Sequence, residues 1–235
     1  MGYPYYGYWG MFDPTYVLVI IAFLLTMFAS FGVQTTFKKY DKIKNSRGLT
    51  GADTARRILD ANGLYNIRVE RVAGNLTDHY SPKENVIRLS DSTYNSQSVA
   101  ALGVAAHECG HAVQHQVGYV PIKIRNSIVP VVNVCNMLAM PLFIIGLLLQ
   151  IFNLAIIGAA LFGMVLVFQL VTLPTEINAS RRALATITEM GLLEGDEYKG
   201  AKKTLTAAAM TYVAAVASTA LQLLRLLLLA NRRRR

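Results

Sequence analysis

The feature that most constrains the fold is an uncharged stretch between residues 126 and 175. It contains no Asp, Glu, Lys or Arg and is mostly apolar. About 20 apolar residues in a helix cross a bilayer, so this stretch is long enough for two crossings. Gln150 and Asn153 mark a polar break near its middle. We therefore predict a transmembrane hairpin over 129–173, which turns at these two residues and ends at Pro174.

The overall composition also indicates an integral membrane protein. Hydrophobic residues make up 53% of the chain and charged residues only 16%, which is too apolar for an ordinary water-soluble domain. The 23 basic residues outnumber the 14 acidic ones, but they flank the hydrophobic segments, as the positive-inside rule expects. We therefore expect a lipid bilayer as a partner and no nucleic acid. Cys109 and Cys135 make no disulfide framework, which indicates a reducing compartment.

The N-terminal region is predicted to carry an interfacial segment and a first span. Residues 1–13 are rich in Tyr, Trp and Phe, which favour the membrane–water interface. Residues 14–37 form the first predicted transmembrane helix and lack the features of a cleaved signal peptide. Lys38 and Lys39 open a basic cluster directly after it. We therefore expect residue 38 and those after it in the cytoplasm.

Residues 38–128 are predicted to form a cytoplasmic part with short helices and strands. Thr50 and Asp53 have the spacing of a helix capping box. Ser96 or Ser98 can cap a longer helix. The predicted elements are a helix over 52–61, strands over 67–72 and 86–89, and a helix over about 97–117.

The C-terminal third is predicted to return to water and then to the membrane. Residues 174–203 carry charges of both signs and are expected to form a cytoplasmic helical region. Residues 204–235 are first Ala-rich, then Leu-rich, and finish with four arginines. A fourth span would carry these arginines outside. We therefore favour three spans plus a membrane-associated C-terminal helix, with four spans as the alternative.

The sequence His107-Glu108-Cys109-Gly110-His111 lies within the longer predicted helix. Residues four apart share one helix face, so the two imidazoles can bind one metal ion, and Glu108 can reach a water on it. Two nitrogen ligands, an open position and a carboxylate base are the pattern of a zinc hydrolase. The flanking residues are small and apolar, which predicts buried histidines that need a partner. Solvent-exposed histidines beside a solvated glutamate are the alternative.

A catalytic zinc site needs a third protein ligand, and Glu176 is the best candidate. His115 lies one turn further along the motif helix and cannot converge on the same ion, so we expect a supporting or capping role for it. His79 is possible but lies in a loop. Glu176 follows the hairpin and returns to the side of the motif, where it is predicted to open a helix. Its alternative role is a favourable charge at that helix N-terminus.

Four segments of the chain carry a combined pattern that is specific. They are Leu76–Pro82, Val86–Ser90, Val104–Gln114 and Pro174–Ala183. Together they resemble the YugP-like neutral zinc metallopeptidases of prokaryotic membranes, and the resemblance covers nearly the whole chain. More distantly, the chain is similar to HtpX-like membrane peptidases, which place a helical hairpin between a His-Glu-x-x-His helix and a Glu-x-x-Ala-Asp helix.

The resemblance implies a mainly α-helical fold with a small β-sheet, an α+β gluzincin-like peptidase domain fused to the transmembrane helices. It implies one Zn²⁺ per chain, with His107, His111 and Glu176 as ligands and Glu108 as catalytic base. Ser180 stands where the related enzymes have an Asp that supports a zinc-bound His, and Asn178 or Ser180 is the expected substitute. A polypeptide substrate is implied too. We expect a multi-pass protein of the prokaryotic inner membrane, with its active site on the cytoplasmic side.

The predicted activity is hydrolysis of peptide bonds in membrane or membrane-proximal proteins. A zinc-activated water is expected to attack the peptide carbonyl, while Glu108 takes its proton and passes it to the leaving amine. An edge of the strand that holds Val86, Ile87 and Arg88 is expected to pair with the substrate backbone. The candidate donors to the oxyanion are His79, Tyr80, Arg181 and Tyr212.

Two other functions stay open from the sequence. A cysteine peptidase would use Cys109 as nucleophile, but this residue is expected on the opposite helix face as a small core residue. A zinc-binding scaffold or chaperone-like factor without proteolysis is the main alternative, although a purely structural site does not need Glu108. A homo-oligomer or a membrane partner protein is also left open.

Overall fold

The computed structural model describes residues 13–232, and this range contains six helices and three strands. Except for Asp13, the predicted aromatic segment lies outside the described residues, as do the last three arginines. In chain order the elements are α1 (Tyr16–Tyr40), α2 (Gly51–Ala61), β1 (Arg68–Val72), β2 (His79–Ser81), β3 (Val86–Ser90), α3 (Val99–Gln116), α4 (Val120–Leu148), α5 (Phe152–Glu189) and α6 (Gly195–Arg232). The fold is mainly helical with one small sheet, as predicted.

The described chain divides into two compact units. One of them, called the site unit below, comprises residues 29–128 and 170–213. The other, called the hairpin unit, comprises residues 129–169 and the described parts of 1–28 and 214–235. Helices α1, α4, α5 and α6 each contribute residues to both units.

The hydrophobic core of the site unit lies between α2, α3, α5 and the sheet. Leu59, Leu89, Leu102 and Ile187 come from these four elements, and all of them are completely buried. Burying one such side chain stabilises the fold by about 1.5–3 kcal/mol. The same core therefore fixes the positions of α3 and α5, which carry the candidate site.

Both α2 and α3 begin at caps that the sequence predicts. The Thr50 hydroxyl accepts from the backbone N–H of Asp53, and the Asp53 carboxylate accepts from the N–H of Thr50, which completes the capping box. The Ser98 hydroxyl accepts from the N–H of Ala101 and so starts α3 at Val99. From there α3 continues through the His-Glu-x-x-His motif.

The sheet has the strand order β1-β3-β2. Ile87 of β3 lies opposite Val69 in a parallel pair and opposite Tyr80 in an antiparallel pair. The sequence predicts β1 and β3 but not β2, which is too short to have an alternating pattern. Because β3 has a partner on each side, the prediction that Val86, Ile87 and Arg88 offer a free edge to a substrate is wrong.

Helix α5 is continuous through Pro174, so the prediction that a new helix opens at Glu176 is wrong. Proline is tolerated in long apolar helices when nearby groups compensate the freed backbone. Here the Thr175 hydroxyl adds a hydrogen bond to the helix backbone next to the proline, at the carbonyl of Val171. Glu176 thus lies in the middle of a helix. This position excludes a stabilising charge at a helix N-terminus as its role.

Four helices, α1, α4, α5 and α6, are long and apolar enough to cross a membrane. The chain is therefore a membrane protein. The C-terminal helix α6 has 38 residues without interruption. Its length and composition permit the four-span alternative as well as the favoured three spans.

Helices α4 and α5 pack closely within the hairpin unit because two glycines lie between them. A Cβ atom on Gly146 would lie 2.4 Å from the backbone nitrogen of Ala155, and one on Gly158 would lie 2.5 Å from that of Phe143. Neither position has room for a side chain. Small residues in these apolar segments therefore serve close packing within the chain.

A third glycine, Gly110, allows α3 and α5 to approach each other in the site unit. A Cβ atom at this position would lie 2.6 Å from the carbonyl oxygen of Ala179, which is itself fully buried. Ala179 is one turn after Glu176 on α5. The missing side chain of Gly110 therefore lets α5 bring Glu176 to the motif helix.

We expect Gly110→Ala to destabilise the protein by about 1–3 kcal/mol, because the added methyl group overlaps backbone atoms that cannot move freely. The measurement is the midpoint of thermal unfolding in detergent. Gly32→Ala is the matched control, since a Cβ atom on Gly32 meets nothing within 4 Å. Equal midpoints for the two variants would contradict this account of the helix contact.

Candidate metal centre

His107 and His111 lie one turn apart on α3 and present their imidazoles to the same side. Their ring centroids are 4.7 Å apart, and the ring planes are nearly perpendicular. Only 15% of the His107 side chain and 11% of the His111 side chain is exposed. The four-residue spacing thus yields the shared and mostly buried face that the sequence predicts.

Glu176 reaches both imidazoles from α5. Its Oε2 atom lies 3.3 Å from Nε2 of His107 and 3.5 Å from Nε2 of His111. Its other oxygen, Oε1, lies 3.5 Å from Nη1 of Arg125 on α4. One oxygen therefore faces the two histidines, while the second has a cationic partner.

These three side chains fit one zinc ion. Ligands about 2.0–2.1 Å from a tetrahedral ion lie roughly 3.3–3.4 Å from one another, and the contacts of Glu176 Oε2 match this spacing. Burial works to lower the pKa of His111, but the carboxylates of Glu176 and Glu108 outweigh it and raise that pKa. The surroundings of His111 thus favour a positive charge. Two nitrogens with one carboxylate leave a coordination position open.

Ser180 supports His107 on the side away from the centre. Its hydroxyl lies 3.1 Å from Nδ1 of His107. Ser180 stands where the HtpX-like pattern has an Asp, and its shorter side chain still reaches the imidazole. The contact fixes the ring so that Nε2 points toward Glu176.

His111 has a different support, which is a buried amide chain that starts at Gln114. The Gln114 Nε2 group donates to the carbonyl of Thr175 at 2.8 Å and to Oδ1 of Asn178 at 3.0 Å. Its Oε1 atom must therefore face His111, and Nδ1 of His111 lies 3.0 Å away. An amide oxygen only accepts, so Nδ1 carries the proton, and Nε2 keeps a lone pair for a metal. The Nε group of Arg182 also donates to Asn178 Oδ1, at 2.8 Å.

Glu108 is a buried carboxylate beside these candidate ligands. Only 8% of it is exposed, and burial raises the pKa of its carboxyl group, with a smaller contribution from the charges of Asp78 and Glu176. The neighbouring His107 and His111 oppose this shift. A raised pKa brings a carboxyl group closer to neutral pH, where it can both accept and return a proton.

Two cavities of the site unit meet at this centre. The first, called the polar cleft, has a volume of about 190 Å³ and contains His79, Tyr80, His115, Arg125 and Tyr212 in its wall. The second, called the apolar pocket, has a volume of about 270 Å³. Both are lined in part by His107, Glu108 and Glu176. The two cavities therefore share part of their walls at the candidate centre.

The structure brings most of the predicted site residues together, but not Arg181, Arg88, Val86 and Ile87. Arg181 is exposed and lies in a groove formed by the outer turns of α5 and by α6. Arg88 pairs with Glu84 on the outer face of the sheet. Val86 and Ile87 are completely buried in the core. The structure therefore argues against Arg181 as an oxyanion donor and against Arg88 as a substrate contact.

Gln114 and Arg125 are functional candidates that the sequence reasoning missed. A single Gln on a helix has no distinguishing pattern, and only the contact with His111 reveals it. Arg125 did have a signal, because it is the last charged residue before the uncharged stretch and Glu176 is the first one after it. His115 lies in the polar cleft, where its Nε2 atom is 3.2 Å from Nδ2 of Asn126, which agrees with a supporting role.

Cys109 does not face the centre. It is completely buried in the core of the site unit, and its thiol donates to the carbonyl of Ala55. Burial, together with the charge of Glu108, raises the pKa of the thiol well above its ordinary range. A neutral and inaccessible thiol is a poor nucleophile, so the structure argues against a cysteine peptidase.

We predict that Gln114→Ala weakens zinc binding by about tenfold to a hundredfold, since a lost support of a metal-bound histidine has this effect. Zinc affinity is measured by competition with a chromophoric chelator. Gln116→Ala is the matched control, because this side chain is exposed and donates only to the carbonyl of Asn62. Unchanged affinity in folded Gln114→Ala protein would remove Gln114 from the centre.

We predict that Cys109→Ala keeps any hydrolytic activity of this centre, because the buried thiol faces away from it. The measurement is the cleavage rate of wild type and variant at equal zinc content. Cys135→Ala, which changes the other buried cysteine, is the control for a core substitution. A loss of activity in the Cys109 variant alone, with normal folding and zinc content, would restore the cysteine hypothesis.

The chain is similar to known proteins over most of its length. Residues 15–231 match the family described as "Putative neutral zinc metallopeptidase". The chain is 48% identical over 212 residues to "Putative membrane protease YugP" of Bacillus subtilis (strain 168), which covers 90% of this chain and 94% of that protein. No solved structure matches the chain significantly. The predicted resemblance is confirmed, and the chain belongs to this neutral zinc metallopeptidase family.

Proposed function

We propose that the protein is a membrane-embedded zinc endopeptidase that cleaves membrane or membrane-proximal proteins. The observation that carries the proposal is the convergence of His107, His111 and Glu176 beside the buried carboxylate of Glu108. A structural metal site needs no such carboxylate and is normally closed. Here the ligands line two open cavities, which favours a reaction at the centre.

In this proposal each side chain has one role. His107, His111 and Glu176 hold one zinc ion per chain, while Ser180 and Gln114 orient the two imidazoles. When bound, zinc supplies Lewis-acid chemistry, which brings the pKa of water toward 7 and polarises a peptide carbonyl. Arg125 pairs with Oε1 of Glu176, so Oε2 is the oxygen that would hold the ion.

Glu108 moves the proton. It accepts one from the attacking water as the new C–O bond forms, and it returns that proton to the amine as the C–N bond breaks. The burial that raises the pKa of Glu108 helps the carboxyl group to hold the proton between the two steps. His79, Tyr80 and Tyr212 remain the candidate donors to the oxyanion, and Tyr212 also lies beside Glu176.

The substrate backbone is best placed along β2 rather than β3. β2 is an edge strand of the sheet, and its residues His79 and Tyr80 line the polar cleft. An extended peptide added there as a further strand would make main-chain hydrogen bonds beside His107. Such binding recognises the peptide backbone whatever its sequence. Selectivity for particular substrate side chains must therefore come from another part of the site.

We further propose an orientation in the membrane. Lys38 and Lys39 lie in the last turn of α1, and the positive-inside rule directs such residues to the cytoplasm. Both lysines belong to the site unit. The active site would thus face the cytoplasm of a prokaryotic cell, at its inner membrane.

The proposal is tested with two variants of the purified full-length protein. Glu108→Gln should keep its zinc and lose about 10²–10⁴-fold in cleavage rate, because the proton acceptor is gone. Glu176→Ala should lose most of its zinc. Zinc content is measured by elemental analysis, and cleavage is measured with casein and with peptides in detergent or liposomes. Wild-type cleavage should stop on addition of o-phenanthroline and return with zinc.

Two outcomes would contradict the proposal. Undiminished cleavage by Glu108→Gln would exclude the proton-transfer role, and full zinc content in Glu176→Ala would remove Glu176 from the ligand set. A wild type that binds zinc but cleaves neither protein nor peptide substrates would be a zinc-binding scaffold instead.

A further inference from the structure

We propose that the apolar pocket beside Glu108 selects the substrate by an apolar side chain of the size of Leu, Met or Phe. That side chain would belong to one of the two residues joined by the scissile bond. The inference rests on the proposed peptidase function and adds a substrate class to it. It starts from a difference between the two cavities at the centre.

The apolar pocket differs from the polar cleft in the character of its wall. Outside the metal centre, the wall contains six apolar side chains from α1, α3, α6 and the loop before β2, all within the site unit. They are Val33, Leu76, Val104, Leu205, Ala208 and Ala209. The polar cleft instead carries imidazole, guanidinium and phenol groups. A side chain that leaves water gains most in the apolar pocket.

Outside the metal centre and Tyr212, whose hydroxyl lies beside Glu176, the polar groups in the wall of the apolar pocket already have partners. The Asp78 carboxylate accepts from the N–H and the hydroxyl of Ser90. The Ser180 hydroxyl contacts His107, and that of Thr211 donates to the carbonyl of Ala208. A polar substrate side chain would lose water and find these groups occupied, which costs free energy. The pocket therefore discriminates against polar residues.

The size of the pocket sets the upper limit for the side chain. Its volume is about 270 Å³, and a cavity of about 150 Å³ lined by apolar side chains can hold a benzene ring. The pocket thus has room for Leu, Met or Phe. Ala208 and Ala209 contribute only methyl groups to its wall, so a larger residue at either position would reduce the volume.

The position of the pocket makes a substrate side chain its occupant. His107, Glu108 and Glu176 form part of its wall, so anything bound there lies directly beside the atoms that carry out the reaction. When a peptide is in place for attack, a side chain next to the scissile bond is the apolar group nearest to this wall. A lipid acyl chain is the competing occupant, and the experiment distinguishes between the two.

The experiment uses quenched fluorescent peptides that differ only at the residues flanking the bond. With the wild type, kcat/KM should be about tenfold to a hundredfold higher for Leu, Met or Phe than for Ser or Gly. Ala208→Leu should reduce this preference by at least about tenfold and spare the peptide with Ala at the same position. Val104→Ala enlarges the pocket and should shift the preference toward Phe and Trp.

Ala207→Leu is the matched control on the same helix. Ala207 precedes Ala208 but lines a separate groove with Lys202 and Lys203, so the side-chain preference should stay at the wild-type level. Retained cleavage of the Ala peptide by Ala208→Leu establishes that this variant is folded. If it does not fold, Val104→Ala decides the question by itself.

Binding is measured in parallel with the zinc-loaded Glu108→Gln protein, which should bind peptides without cleaving them. Preferential binding of the Leu peptide, lost in the double variant with Ala208→Leu, supports the pocket assignment even if the wild type cleaves nothing. Zinc-dependent cleavage without preference at either flanking residue overturns the inference and leaves the peptidase function intact. Equal effects of Ala207→Leu and Ala208→Leu overturn it as well. A side-chain preference that survives Ala208→Leu but is abolished by added lipid also overturns it.

Discussion

The site unit depends on one buried carboxylate. Only 3% of Glu176 is exposed, and a buried charge persists only where partners replace the water it has lost. The partners come from two other helices, since α3 supplies two imidazoles and α4 supplies Arg125. A charge that would be costly alone in an apolar helix therefore ties three helices to one point. The same requirement makes this point suitable for a metal cation.

The contact between α3 and α5 combines close packing with polar support. Thr175, Asn178, Ala179 and Arg182 are spaced as one stripe along α5. In its middle the backbone at Ala179 packs against Gly110, and around it the amide of Gln114 binds Thr175 and Asn178. The hydrogen bonds hold the imidazoles only because the glycine lets the two backbones come this close. The close packing of α3 on α5 and the orientation of the imidazoles thus depend on the same helix contact.

More of the site chemistry than of the surrounding geometry could be predicted from the sequence. The motif on α3 and the position of Glu176 after the uncharged stretch were enough to expect three converging side chains, because helical spacing and a hairpin leave few alternatives. A new helix is expected at Glu176 because proline usually ends a helix, but a long apolar helix such as α5 tolerates Pro174. Strand β2 is too short to show the alternating sequence pattern by which a strand is predicted. Gln114 lies one turn from His111, but its orientation depends on its contact with Thr175, 61 residues away, which no local pattern encodes.

The supports of the two histidines are a hydroxyl and an amide, and neither carries a formal charge. A carboxylate in the same place would push electron density through the imidazole onto the ion and make it a weaker electrophile. Neutral supports leave that density on the protein. An ion held by His107, His111 and Glu176 would therefore keep more of its positive charge, binding less tightly but polarising a carbonyl more strongly.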